Sequence, residues 1–338
     1  MLSTLCQRGK VVLRVSMVVQ PLRSSLTTSA PKAARGGFQE RLTRQGINLQ
    51  RTGPTLRERL LGPTTGKPFI YGTYALMGAS AAGIGMLCYY GLSMSNEVGA
   101  RERIALWPQY VHDRIKATYG YLGGSLIVSA SAAAAIARSP QLLRLISNGG
   151  IGTMVVTIAA MIGTGALCRS IDYESSAMKH AAWALHCATI GAVVAPLFLL
   201  GGPVLMRAAV YTLGIVGGLS ATAICAPSEK FLMWSGPLSM GLGVVFVSSI
   251  GTFFLPPGSA LGAGLASIVV YGGLILFSAF LLYDTQRVIK LAETYPVSNA
   301  YMPVKQYDPI NAQMGIYMDV INIFMRIAMI MGGNQRRK

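Results

Sequence analysis

The sequence predicts an all-α fold, a polytopic membrane helix bundle. Three observations carry this. Charged residues make up only 12% of the chain against 52% hydrophobic residues. Mean hydropathy is +0.48. Apolar runs of about 20 residues, the length that crosses roughly 30 Å of hydrocarbon, recur from residue 69 to the C-terminus. A soluble domain carries about 25% charged residues, so this chain has too few to coat a water-facing surface.

The runs fall near 69–93, 118–137, 151–168, 182–201, 207–225, 237–255, 262–283 and 314–331, predicting eight spans. They are too continuous for barrel strands, which alternate over about ten residues. Breaks are expected at Gly201-Gly202-Pro203, Pro227, Pro237 and Pro256-Pro257-Gly258. Gly214 and Gly218 share a helix face, as do Gly78 and Ala82, a spacing that lets neighbouring backbones approach closely. The last run is the weakest span, because it contains Asp319 and Arg326.

Residues 1–66 differ from the rest. Up to Gln39 there are Arg8, Lys10, Arg14, Arg23, Lys32 and Arg35, hydroxyls at Ser24, Ser25, Thr27, Thr28 and Ser29, and no acid. That is the composition of a mitochondrial transit peptide, and Arg14 interrupts the apolar core that a secretory signal needs. The expected organisation is a targeting and basic segment over 1–66, an extra span and loop over 67–117, and a membrane domain over 118–338. Much of the +17 net charge lies in the first segment. No basic helix with interleaved aromatics occurs, so nucleic acid is not an expected partner. The five cysteines show no metal-binding spacing and read as small buried hydrophobes.

Ionisable residues at bilayer depth are the functional candidates. Asp284 ends the run Leu276–Tyr283. Asp319 lies within Ile316-Tyr-Met-Asp-Val-Ile-Asn-Ile-Phe324, with Asn322 and Arg326 on the same stripe. Two carboxylates meeting in a low dielectric cannot both ionise cheaply and titrate as a coupled unit. Such a pair can hold a proton, or lose it and accept a cation. Calcium takes carboxylate and amide oxygens, so Asp284 and Asp319 are the expected metal ligands, with Asn322 beside them. Arg326 and His186 are candidates for gating or relay. Plainer readings stand alongside: Asp284 facing headgroups at a span end, Asp319 paired structurally with Arg326, and His186 as a packing residue.

Phe280-Leu-Leu-Tyr-Asp-Thr-Gln286, followed by Ile316–Phe324, resembles the closing two helices of the transmembrane BAX inhibitor motif family. So do Leu87-Cys-Tyr-Tyr-Gly-Leu92, Ser95-Asn-Glu97, Trp107-Pro-Gln-Tyr-Val111, Gly201-Gly-Pro203, Gly214–Ser220, Ala226-Pro-Ser-Glu-Lys-Phe231 and Tyr307-Asp-Pro-Ile-Asn311. The resemblance implies a seven-helix Bax-inhibitor-like core, six helices around the last, preceded here by one extra N-terminal span. It implies a pH-sensing pair at Asp284 and Asp319. A basic residue on an early helix would latch that pair; Arg114 and Lys116 are the nearest candidates, without an unambiguous match. It further implies calcium leak or calcium/proton exchange, restraint of apoptosis and, for the family's mitochondrial branch, cristae organisation. The expected placement is multi-pass in the mitochondrial inner membrane. The expected partners are calcium ions and protons, the lipid bilayer and inner-membrane proteins, with calcium as cargo and no cofactor. The alternative is a structural scaffold that maintains cristae without transport. An intramembrane aspartyl protease is disfavoured: Tyr283-Asp284 matches half of that signature, but Gly-x-Gly-Asp is absent. HExxH and P-loop motifs are also missing, so no enzymatic activity is expected.

Overall fold

The computed structural model describes residues 60–63, 66–92, 104–147, 150–227, 229–256, 258–297 and 305–335. The transit-peptide features up to residue 59 lie outside the described residues.

Eight helices among the described residues are long and apolar enough to cross a membrane, matching the expected number. In chain order the helices are α1 (Lys67–Gly91), α2 (Gln109–Ala137), a short α3 (Pro140–Ser147) and α4 (Ile151–Ser170). Then follow α5 (Ser176–Val194), continued by a 3₁₀ turn to Leu200, α6 (Gly202–Cys225) and α7 (Ser235–Phe254). The chain closes with α8 (Ala260–Thr294) and α9 (Pro309–Gln335). No strand occurs among the described residues beyond isolated bridges such as Pro63 with Ser259. The chain is a multi-pass membrane protein built as a helical bundle.

The expected breaks fall where the backbone chemistry places them. Gly201 has φ +94°, a conformation that L side chains rarely adopt, and Pro203 sits in the first turn of α6. Two helices outrun their apolar runs. α2 begins at Gln109 instead of 118, just after Pro108, and its first two turns carry His112, Asp113, Arg114 and Lys116. The division at residue 117 therefore cuts through a helix. α8 continues to Thr294, eleven residues past the expected end. Hydropathy marks the part of a helix that lies in hydrocarbon, and both of these extend beyond it in polar turns.

α9 is the core of the bundle. Its apolar window is 56% buried, whereas no other span exceeds 33%. It packs on α2, α6 and α8. Ile310, Met314, Ile316, Tyr317, Ile323 and Ala328 are all at or below 2% exposure. Tyr317 reaches Ser129 of α2, with the two hydroxyls 2.6 Å apart, and Ser129 also donates to the Cys187 carbonyl of α5 at 3.0 Å. Gln286 of α8 accepts from the Phe231 amide at 2.8 Å and donates to the Ala223 and Pro227 carbonyls, fixing the turn between α6 and α7.

α8 contains one irregularity, a π turn over Ile268–Gly272. α1 docks there: the Ser267 hydroxyl donates to the Pro68 carbonyl at 2.7 Å, and a side chain at Gly72 would collide with the Tyr271 ring. The small-residue pair Gly214/Gly218 does not make the tight contact its spacing suggested, since a Cβ at either glycine would meet nothing within 4 Å. The close approaches lie elsewhere, as at Gly191, which abuts the backbone of α2 at Ser129 and Ala133.

Candidate functional site

α8 and α9 run antiparallel, and one glycine sets how closely they meet at the acidic pair. A methyl group at Gly315 would run into the Asp284 carboxylate, so the missing side chain there makes room for it. Asp284 and Asp319 are brought together, their carboxyl groups within hydrogen-bonding reach of each other. Both are buried, at 8% and 4% exposure. Asp319 Oδ2 is buried without a hydrogen-bond partner, and so is Gln313 Oε1 on α9. Unpartnered oxygens at this depth cost free energy.

A polar vestibule lies near the pair, linked to it through Arg287. This cavity, of about 320 Å³, lies between the C-terminal ends of α4 and α8 and the start of α9. Arg169, Asp172, Glu174, Arg287, Asp308 and Asn311 are among its lining residues. Arg287, one turn beyond Asp284, is 64% exposed and reaches Asp284 Oδ1 with Nη1 at 3.5 Å. A bridge that long and that wet contributes little stability. It places an exposed positive charge between the vestibule and Asp284.

Behind the lining residues Asp308 and Asn311 sits a residue that sequence reasoning missed. Lys179, near the start of α5, is fully buried. Its ammonium donates to the carbonyls of Cys168 at 2.8 Å and Ile171 at 2.9 Å and to Asn311 Oδ1 at 3.0 Å, and it pairs with Asp308 at 2.6 Å. The lysine thus neutralises the free carbonyls at the end of α4 and ties α4 and α5 to the first turn of α9. The available signal was Asp308 and Asn311 spaced three apart ahead of an apolar helix, a pair of acceptors in need of a cation.

The other sequence candidates fall as follows. Arg114 does not touch the pair. It donates to the carbonyls of Ala292, Tyr295 and Pro296, capping α8, and lies over the rings of Tyr110, Tyr295 and Tyr307. Tyr307 shares a hydrogen bond of 2.9 Å with Thr118, and burial pushes its phenol up from the ordinary value. Asn322 is taken up by Arg326, whose Nη1 donates to Asn322 Oδ1 at 2.8 Å. Arg326 forms no ion pair with Asp319; its guanidinium sits 4.4 Å over Phe277 and donates to the Val269 carbonyl in the π turn. His186 is buried, 3.0 Å from the Thr164 hydroxyl and edge-on to Tyr317. Among the described residues no three His, Cys, Asp or Glu side chains converge.

With this geometry in view, the family described as inhibitor of apoptosis-promoting Bax1 matches residues 111–336. The chain belongs to the Bax inhibitor family. It is 54% identical over 301 residues to growth hormone-inducible transmembrane protein of Rattus norvegicus, covering 88% of this chain and 86% of the relative. It is 25% identical over 232 residues to Bax inhibitor 1 of Arabidopsis thaliana, covering 68% and 84%. It is 23% identical over 224 residues to inner membrane protein YbhL of Escherichia coli, covering 64% and 90%. No solved structure matches it. The Bax inhibitor match takes in α2 to α9, and so both members of the pair, the vestibule and Lys179. It leaves out α1.

Proposed function

We propose that the chain is a calcium/proton exchanger or pH-gated calcium leak of the mitochondrial inner membrane, with no enzymatic activity. The observation that carries this is the buried contact of Asp284 with Asp319 beside a charged vestibule. With one proton the pair carries a single negative charge. Losing that proton leaves two, which suits a divalent cation whose remaining ligands are neutral oxygens or water. Proton release and cation binding are thereby coupled at one site. Arg287, exposed and loosely bonded, can swing aside as the cation arrives. The acid-free, basic and hydroxylated composition up to Gln39 supports the mitochondrial placement. Membership of the Bax inhibitor family supports a role in restraint of apoptosis.

The test is reconstitution of the mature protein into liposomes, with calcium and proton fluxes recorded together across a range of pH. Asp284→Asn and Asp319→Asn are each expected to abolish the coupled, pH-dependent component. Unchanged flux in both variants ends the exchange reading. It would leave the scaffold reading, in which the same variants restore cristae as well as the unsubstituted chain does.

A further inference from the structure

The mechanism above uses the vestibule and the acidic pair and leaves unexplained a charged residue on the other side of them. Arg326 lies seven residues beyond Asp319 on α9, about 10 Å deeper along the helix axis. It is 8% exposed. Among the described residues no carboxylate pairs with it. Its contacts are neutral: Val269 O at 3.2 Å from Nε, Asn322 O at 3.0 Å and Asn322 Oδ1 at 2.8 Å from Nη1, and the face of Phe277. A buried guanidinium with no counter-charge is expensive at bilayer depth and marks function by default.

The seat for this charge is built. A side chain at Gly273 would occupy the position of the guanidinium, so the glycine is the slot that admits it. The slot closes the π turn Ile268–Gly272, and π turns interrupt the regular carbonyl ladder, often at functional sites. α1 braces the same turn through Ser267 and Gly72, and α1 lies outside the residues that the family model matches.

We propose that Arg326 is an electrostatic gate on the exit side of the acidic pair, held in the α8 π turn. The inference rests on the reading of the pair as a cation and proton site. A cation leaving the pair away from the vestibule meets an unneutralised positive charge in a wall of low dielectric, where repulsion is poorly screened. Passage requires the guanidinium to leave Val269 and Phe277. Asn322 joins the two elements: it lies one turn from Asp319 and bonds Arg326 directly. Gated this way, calcium does not run through the bundle unaccompanied.

The experiment measures calcium and proton flux in proteoliposomes of the full-length mature chain, with Asp319→Asn as the reference for the pair. Arg326→Met is expected to raise calcium flux on the order of ten-fold and to uncouple it from proton counter-flux. Arg326→Lys keeps the charge but loses the planar fork, and should give a clearly smaller rise. Gly273→Ala keeps the arginine but evicts it from its slot, and should leak as Arg326→Met does. If Arg326→Met fails to assemble, Gly273→Ala decides alone. Should Arg326→Met and Gly273→Ala both carry the same coupled flux as the unsubstituted chain while Asp319→Asn carries none, the gate is wrong and the pair stands. If Asp319→Asn carries the same flux as the unsubstituted chain, the reading of the pair falls and takes the gate with it.

Discussion

The first and last spanning helices are close in length, at 25 residues of α1 and 25 of the apolar stretch of α9, and opposite in placement. α1 has no buried residue, while more than half of the α9 window is buried. The difference lies in what the two sequences must hide. α1 carries no acidic or basic side chain after Lys67, so lipid solvates it on every face that a neighbour leaves free. α9 carries Gln313, Asp319, Asn322 and Arg326, which hydrocarbon cannot solvate. Such a helix is stable only where neighbours supply the missing bonds. These polar residues are the reason α9 occupies the middle.

If α9 is held by specific polar anchors and α1 by lipid, substitutions should separate the two steeply. The largest effect is expected at Lys179. Lys179→Met leaves Asp308 and two helix-end carbonyls without their cation and should cost about 3–5 kcal/mol, the usual result of removing one partner of a buried pair. Thermal unfolding in detergent reads this, and adding Asp308→Asn should recover part of the loss. Ser129→Ala removes the partner of the Tyr317 hydroxyl and should cost about 1–3 kcal/mol in the same assay.

A subtler test uses alkali. The Tyr307 phenol titrates higher when folded than when unfolded because burial disfavours its charged form. Its contribution is therefore intact below about pH 10, where both states hold the proton, and is lost as pH rises through the folded value. The unsubstituted chain should lose stability above about pH 10 more steeply than Tyr307→Phe, as pH-jump unfolding curves would reveal. The smallest effect belongs to α1: Met77→Ala and Ile84→Ala, at exposed positions, should stay within about 0.5 kcal/mol. A loss of several kcal/mol at either would dissolve the contrast between the two helices.

Much of this was legible in the sequence. Eight apolar runs gave eight helices, and the glycine–proline breaks fell at Gly201 and after Phe254, because hydrophobic length and backbone restriction act locally. The meeting of Asp284 with Asp319 followed from their rarity at bilayer depth together with the family resemblance. Lys179 was not legible, because a lysine near a span end looks solvated until the carbonyls of α4 and the first turn of α9 are seen to close over it. The same holds for Arg326. Its spacing placed it on the Asp319 stripe and suggested an ion pair. Its actual partner, Val269 O, is exposed by a π turn that no residue pattern in α8 announces. The Gly214/Gly218 spacing promised a contact that this chain does not make, since a shared helix face says nothing about who faces it.

The count of crossings has a topological consequence. Eight passages return the chain to the side on which it began, so the two ends of the spanning region share one compartment. The vestibule is walled by the segments joining the third span to the fourth and the seventh to the eighth. Both of those segments fall on the opposite face. The vestibule thus lies on the face that contains neither end of the bundle, and a reporter fused to the C-terminus would identify that compartment.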